Sequence, residues 1–246
     1  MLRIKNLQVK IKKTIILNKL NLTIKPKETH VIMGNNGSGK STLAKVISGD
    51  PIYKITNGTI LFQDKNLIEL KPEQRSLLGL FLGFQHPIVL PGVNNFDFLQ
   101  LIYNTHNQNH NNNHKINPLS FIKILNKYLQ IVKLDNQFLH RNVNENFSGG
   151  EQKKNEMLQM LLINPKLSIL DEIDSGLDID AFYNIVKILL TIKKQNQSML
   201  IITHSTKLVE NIKPDYIHLM NKGNIVQTGT IEINNQLIKY GYKYFF

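Results

Sequence analysis

The segment Gly34-Asn35-Asn36-Gly37-Ser38-Gly39-Lys40-Ser41-Thr42 constrains this chain more than any other stretch. It fits GxxxxGK[ST] at every required position, after the apolar run Val31-Ile32-Met33 and before a helix-like segment from Thr42 to Ile47. Strand, glycine loop and helix are the context in which that pattern cradles phosphate. The glycines let backbone N–H groups curl around phosphate oxygens, and the helix N-terminus adds its partial positive charge. Lys40 is expected to reach the β- and γ-phosphates, and the Ser41 hydroxyl to sit on Mg²⁺. The loop therefore points to ATP or GTP and leaves open what the energy drives.

The rest of the chain alternates in the same manner. Residues 2–8 and 59–63 read as short alternating strands and 28–33 as the buried strand feeding the loop. Lys54 to Asp64 reads as a hairpin turning at Asn57-Gly58. Segments 96–103 and 119–132 have helical periodicity, with Phe121, Ile124, Leu125, Tyr128 and Leu129 on one face. A helix is expected from Ser148, with Met157, Leu158, Leu161 and Leu162 on its apolar face and Pro165 closing it. Leu167 to Leu170 is a buried strand ending in Asp171-Glu172; a helix over 181–193 and a strand over 199–202, ending at Thr203-His204, follow. Such alternation indicates a largely parallel sheet with ligands at strand carboxyl ends. The phosphate loop, Asp171-Glu172 and His204 all fall at such ends, which argues for one nucleotide site.

Two features invite other chemistry. His106, His110 and His114 stand at i, i+4 and i+8 in the polar tract 104–114, a metal-ligand spacing if the tract were helical. Asparagine is a poor helix former and the tract has no apolar face, so a mobile surface loop is expected and no metal is assigned. The net charge of +12, with pI near 9.7, invites a nucleic-acid reading. The lysines read as spread along the chain, and 30 asparagines with abundant Lys and Ile point to A+T-biased composition. The charge is therefore assigned to composition, with an acidic partner surface as the alternative.

At 246 residues the chain accommodates one large α/β domain or a core with an inserted subdomain. No apolar run approaches the ~18–20 residues that span a bilayer, and the start alternates like a strand, so a soluble protein without a presequence is expected. The chain has no cysteine, which excludes disulfides and cysteine-ligated clusters on it.

Taken in order, the motifs resemble those of the ATP-binding-cassette ATPases along nearly the whole chain. They are the phosphate loop at 34–42, Gln85 in a Q-loop, the signature Phe147-Ser148-Gly149-Gly150-Glu151-Gln152, Walker B at 167–172, the D-loop Asp174-Ser175-Gly176-Leu177-Asp178 and the switch His204. The resemblance implies an α/β P-loop NTPase of the ABC type: a mixed β core, an inserted α-helical subdomain and a β subdomain near the N-terminus. It implies one ATPase domain over 1–246, with 1–86 and 160–246 as the nucleotide-binding core and 87–159 as the helical subdomain. ATP and Mg²⁺ are the implied cofactors, with Gly34 to Thr42 on the nucleotide and Ser41, Gln85 and Asp171 on the metal. Phosphoryl transfer depends on positioning and charge neutralisation. The implied catalytic set is Glu172 polarising the attacking water, Gln85 orienting it and His204 donating to the γ-phosphate. Ser148, Gly149 and Gly150 are implied to bind the nucleotide of a second subunit, so hydrolysis requires a head-to-tail pair.

Within that superfamily, FSGGEQKKNEMLQM (147–160), LDEIDSGLDIDA (170–181), FQHPIVLPGVNN (84–95) and IKPDYIHLMNKGNIVQTG (212–229) are similar to the SufC family, the ATPases of SUF iron–sulfur cluster assembly. That resemblance implies association with SufB and SufD scaffold proteins and transient ATP-driven SufC–SufC pairing, without nucleic acid. SufC proteins occur in plastids and bacteria; an Asn/Lys/Ile-rich chain without a presequence fits a plastid-encoded protein of the chloroplast stroma, with a bacterial cytoplasm as the alternative. The rival readings are the detached ATPase of a membrane transporter and a nucleic-acid-associated cassette. Three departures stand out. Gln152 replaces a lysine expected after Ser-Gly-Gly-Glu, which puts a lysine lock on Glu172 in doubt; Asn35 replaces a more frequent proline; and no aromatic lies in 8–20 to stack on adenine, leaving Ile and Lys stems.

Overall fold

The computed structural model describes residues 1–108, 115–195 and 197–246. Strands β1 (Leu2–Ile11) and β2 (Thr14–Ile24) form an antiparallel hairpin turning at Lys12-Lys13, and β3 (Thr29–Met33) runs into the glycine loop. Helix α1 (Lys40–Ser48) leaves that loop, followed by β4 (Lys54–Phe62), β5 (Lys65–Asn66), α2 (Pro72–Leu77) and β6 (Leu80–Gly83). Next come β7 (Leu90–Asn94), α3 (Asn95–Gln108), α4 (Pro118–Val132), β8 (Asn142–Val143) and α5 (Gly149–Ile163). The chain closes through β9 (Leu167–Asp171), α6 (Ile179–Lys194), β10 (Ser198–Ile202), α7 (Thr206–Ile212), β11 (Tyr216–Asn221), β12 (Asn224–Gly229) and α8 (Ile231–Tyr240).

A six-stranded sheet of order β12-β11-β3-β10-β9-β6 divides the core. β3, β9 and β10 are buried along their whole length, as parallel strands covered on both faces must be, and so read as continuous apolar runs. Alternate side chains serve opposite faces. Ile32, Ile169, Leu200 and Ile202 pack with α1 and the small antiparallel sheet β2-β1-β4-β5, whereas Val31, Met33, Leu170 and Ile201 pack with the helices of the other layer. In α4 the predicted stripe is in place: Phe121, Leu125 and Leu129 are buried and Asn117 caps the N-terminus by accepting from the Ser120 N–H. Truncating fully buried Phe121 to Ala would cost about 3–5 kcal/mol in transfer and cavity energy.

The expected hairpin at Asn57-Gly58 is not formed. β4 passes through these residues as a partner of β1, and the register slips from Lys5↔Thr59 to Gln8↔Asn57 around Asn6, which has φ 47°. Gly58 is a bulge position where a Cβ would lie 2.5 Å from the carbonyl oxygens of Lys5 and Asn6. The turn falls instead at Gln63-Asp64, both left-handed.

The expected loop over 104–114 is corrected in part. Residues 104–108 continue α3, and the His106 ring is buried, 3.3 Å from Ser76 Oγ. Tertiary contact to α2 overrides the weak local propensity. His110 and His114 lie outside the described residues. β1, β2, β4 and β5 carry Arg3, Lys5, Lys10, Lys19, Lys54 and Lys65 and no carboxylate, and the register sets Lys10 opposite Lys54, a pairing that weakens a sheet. At the C-terminus, Tyr242 and Phe245 pack against the core, whereas Tyr240, Tyr244 and Phe246 are exposed.

Candidate nucleotide-binding site

β3, β10 and β9 are neighbours, and one row of the sheet contains Ile32, Ile202 and Asp171. The residues that follow each strand, the glycine loop, Thr203-His204 and Glu172, therefore emerge side by side. A cleft of about 470 Å³ opens there, with Ile16, Asn36, Gly37, Gly39, Lys40, Ser41, Thr42, Gln85, Glu172 and His204 on its walls. The loop is held tightly at its base, because a Cβ on Gly34 would strike the Met220 carbonyl oxygen at 2.1 Å. Ser38 Oγ is buried and has no hydrogen-bond partner among the described residues.

Lys40 donates from Nζ to Gly34 O at 2.8 Å and Asn35 O at 2.9 Å, closing the loop upon itself. Burial holds its pKa below the ordinary lysine value, opposed by Glu172 and Asp171. A polyphosphate is a stronger acceptor than two carbonyls, so this ammonium is poised to exchange partners. Ser41 Oγ donates to Asp171 Oδ1 at 3.0 Å. Burial raises the Asp171 carboxyl, and the Ser41 hydrogen bond pulls it back. A serine hydroxyl and a carboxylate in contact, with the Gln85 amide on the same cleft, are the hard oxygen donors that suit Mg²⁺.

Glu172 has φ 47°, a left-handed conformation costly for a side chain of its kind, and its N–H donates to Ile202 O at 2.8 Å. Its side chain lines the cleft. Gln85 Nε2 donates to Glu172 Oε2 at 2.8 Å, while His204 Nδ1 stands 3.8 Å from Glu172 Oε1 with its side chain 57% exposed.

Ser148 lies elsewhere. It caps α5 in a reciprocal box: its N–H donates to Glu151 Oε2 at 2.7 Å, and its Oγ accepts from the Glu151 N–H at 3.4 Å. Ser148 and Gly149 are exposed and Gly150 half-buried, and none of the three lines the cleft around Lys40. The Gln152 amide donates to Asn144 O and Phe147 O, bracing the signature turn.

The family model for the ABC transporter matches residues 17–175. The chain belongs to the ABC transporter ATPase family. The cassette is 55% identical over 244 residues to the "Probable ATP-dependent transporter ycf16" of Antithamnion sp., covering 99% of this chain and 97% of the relative. It is 46% identical to the "Probable ATP-dependent transporter slr0075" of Synechocystis sp., covering 99% and 94%. The "ABC transporter I family member 6, chloroplastic" of Arabidopsis thaliana is 45% identical over 93% of this chain and 67% of that protein. A dimeric post-hydrolysis state of the ATP-binding cassette MJ0796, bound to ADP and Pi, shares the fold: TM-score 0.81 at 21% identity, over 94% of this chain and 99% of that one. The fold is thus the ABC-type P-loop NTPase, a mixed sheet with helices, in an ATP-hydrolysing family.

Several residues of the site were not singled out in the sequence. Thr203, fully buried, bonds both carboxylate oxygens of Asp174 at 3.0 and 2.9 Å and accepts from the Ser205 N–H. Lys153 Nζ donates to Phe84 O at 2.5 Å and Gln85 O at 2.9 Å, and the Phe84 N–H donates to Glu156 Oε1 at 2.7 Å. Lysine and glutamate at helical spacing i, i+3 are the only linear signal for that pair, and such pairs usually sit on solvated faces.

Proposed function

We propose that this cassette hydrolyses ATP as the SufC-type subunit of an iron–sulfur cluster assembly complex, working as a head-to-tail pair on a SufB/SufD-type scaffold. One observation carries the pairing. Lys40, Glu172 and His204 share a cleft that Ser148, Gly149 and Gly150 do not reach, so the exposed signature is free to meet another subunit's nucleotide.

In this reading the glycine loop binds the phosphates and Lys40 leaves Gly34 and Asn35 for the γ-phosphate. Ser41, Gln85 and Asp171 would hold Mg²⁺, which would supply neutralisation of phosphate charge. Glu172 accepts the proton of the attacking water, Gln85 orients that water, and His204 donates a hydrogen bond to the γ-phosphate. The helical arm 87–159 carries the signature toward the partner subunit. A groove of about 450 Å³ beside the Q-loop, with Phe84, Phe98 and Ile102 on its walls, is the surface on which the scaffold docks.

The SUF assignment rests on the resemblance of 147–160 and 170–181 to SufC sequences. The plastid assignment is supported by relatives named ycf16 and by the relative named chloroplastic. The second reading, the ATP-binding subunit of a membrane transporter, is favoured by the word transporter in those relatives' names; no described helix is long and apolar enough to cross a membrane, so such a subunit would need separate spanning partners. A pull-down with tagged Glu172→Gln in the presence of ATP separates the two. Scaffold proteins are expected on the beads; transmembrane subunits without scaffold proteins would overturn the SUF reading.

A further inference from the structure

β6 ends at Gly83, and the chain leaves the sheet just before Gln85, so its peptide groups lose their ladder partners. Two charged side chains of α5 replace them. Glu156 accepts from the Phe84 N–H, and Lys153 donates to the carbonyl oxygens of Phe84 and Gln85, with 3.8 Å between Lys153 Nζ and Glu156 Oε2. Both side chains are buried, Lys153 3% and Glu156 4% exposed. Burial opposes both charges, pulling the lysine down and the glutamate up to about 7. An apolar pair of the same volume commonly matches or exceeds such a pair in stability. What the charged pair supplies is a fixed grip of three hydrogen bonds on one dipeptide.

The other side of α5 is bound as firmly. Asn155 exchanges amide hydrogen bonds with Asn95 at 3.1 and 3.2 Å and donates to Asn144 Oδ1 at 3.0 Å, and Gln152 bonds the backbone of the signature turn. Ser148 and Glu156 are about 12 Å apart along the helix at 1.5 Å per residue. One rigid helix thus holds the signature at its start and the Q-loop backbone two turns later.

We infer that Lys153 and Glu156 are positioning residues that make Gln85 follow the signature helix, so that the seat of Ser148 sets the Gln85–Glu172 geometry in the same chain. The consequence for a pair, that docking on one nucleotide prepares the other site, rests on the head-to-tail reading above. The grip itself is intramolecular and independent of it.

The test is a turnover cycle in the full chain. The neutral double variant Lys153→Met/Glu156→Gln leaves no buried ion alone, and its thermal midpoint reports folding. Its kcat is expected to fall by about tenfold or more with ATP affinity changed less than about twofold, the signature of lost positioning. Combined with Gln85→Ala it should add no further loss, because both changes act through one side chain. Glu156→Gln alone keeps an acceptor for the Phe84 N–H and should be milder than Glu156→Ala. Unchanged kcat, or losses that multiply with Gln85→Ala, would overturn the inference. Absence of ATP-dependent pairing in the parent chain would count against the head-to-tail reading and leave the cycle to judge the grip.

Discussion

The Gln85 side-chain amide donates to Glu172 Oε2 across 2.8 Å, so two residues of the nucleotide cleft are bonded directly to each other. The carboxylate is held by an uncharged donor and keeps its second oxygen, Oε1, facing His204. Glu172→Gln should retain ATP binding and lower kcat about 10²–10⁴-fold, the usual weight of a positioned general base. Steady-state turnover with a parallel binding titration checks this. Near-parental turnover would remove Glu172 from that role.

Lys40→Ala is expected to abolish ATP binding while leaving the fold intact. Its partners in the resting loop are backbone carbonyls, of Gly34 and Asn35, so no buried side-chain charge is left unpaired when the ammonium is removed. Equilibrium binding of a fluorescent ATP analogue, beside a thermal melt, separates the two effects. A variant that still binds would show that the glycine-loop amides suffice.

The order of the phosphate loop, Asp171-Glu172 and His204 was legible because each sits at the end of a buried strand, and strand burial is written in local apolar runs. Helices 119–132 and 148–163 were equally legible from their faces. Other features depend on contacts that linear spacing does not encode. Asn57-Gly58 has hairpin chemistry, yet β1 pairs along the whole of β4 and turns the glycine into a bulge. His106 lies in an asparagine-rich tract and is helical because α3 docks against Ser76 of α2. Thr203, Lys153 and Glu156 each act on residues distant in the chain, Asp174 for the first and Phe84 and Gln85 for the others, so their neighbours in sequence say nothing of their work. The place of the Gln152 amide, on the Asn144 and Phe147 carbonyls of the signature turn, is likewise visible only in three dimensions.

Ile16 is the apolar wall of the cleft where an aromatic ring is missing. Ile16→Tyr should tighten ATP by about 0.5–1.5 kcal/mol, the increment of a ring stacked on a base-sized π surface. It should tighten inorganic triphosphate not at all. Calorimetric titration of both ligands tests this, and equal gains would place the ring against phosphate rather than adenine.

His218 is buried between His30 Nδ1 at 2.8 Å and Thr228 Oγ1 at 2.8 Å, and burial followed by repulsion from His30 pushes its pKa down to about 3. The unfolded chain, near 6.5, binds the proton more readily, so stability rises with pH between about 3 and 6.5 and is complete above that window. Lowering the pH from 7.5 to 5 should therefore cost roughly 1–3 kcal/mol. Urea unfolding at the two pH values should show a flatter dependence for His218→Asn than for the parent chain; equal slopes would contradict the assignment.

In the head-to-tail reading the nucleotide held by Lys40 is completed by Ser148 of another copy. Two dead proteins test it most directly: Lys40→Ala, with an intact signature, and Ser148→Arg, with an intact phosphate loop. Each alone should fail to hydrolyse ATP. Mixed, they form pairs in which one phosphate loop faces one intact signature, and turnover should reappear and rise with the concentration of either partner. A mixture as inactive as its components, or full turnover by Ser148→Arg alone, would rule out completion of the site in trans.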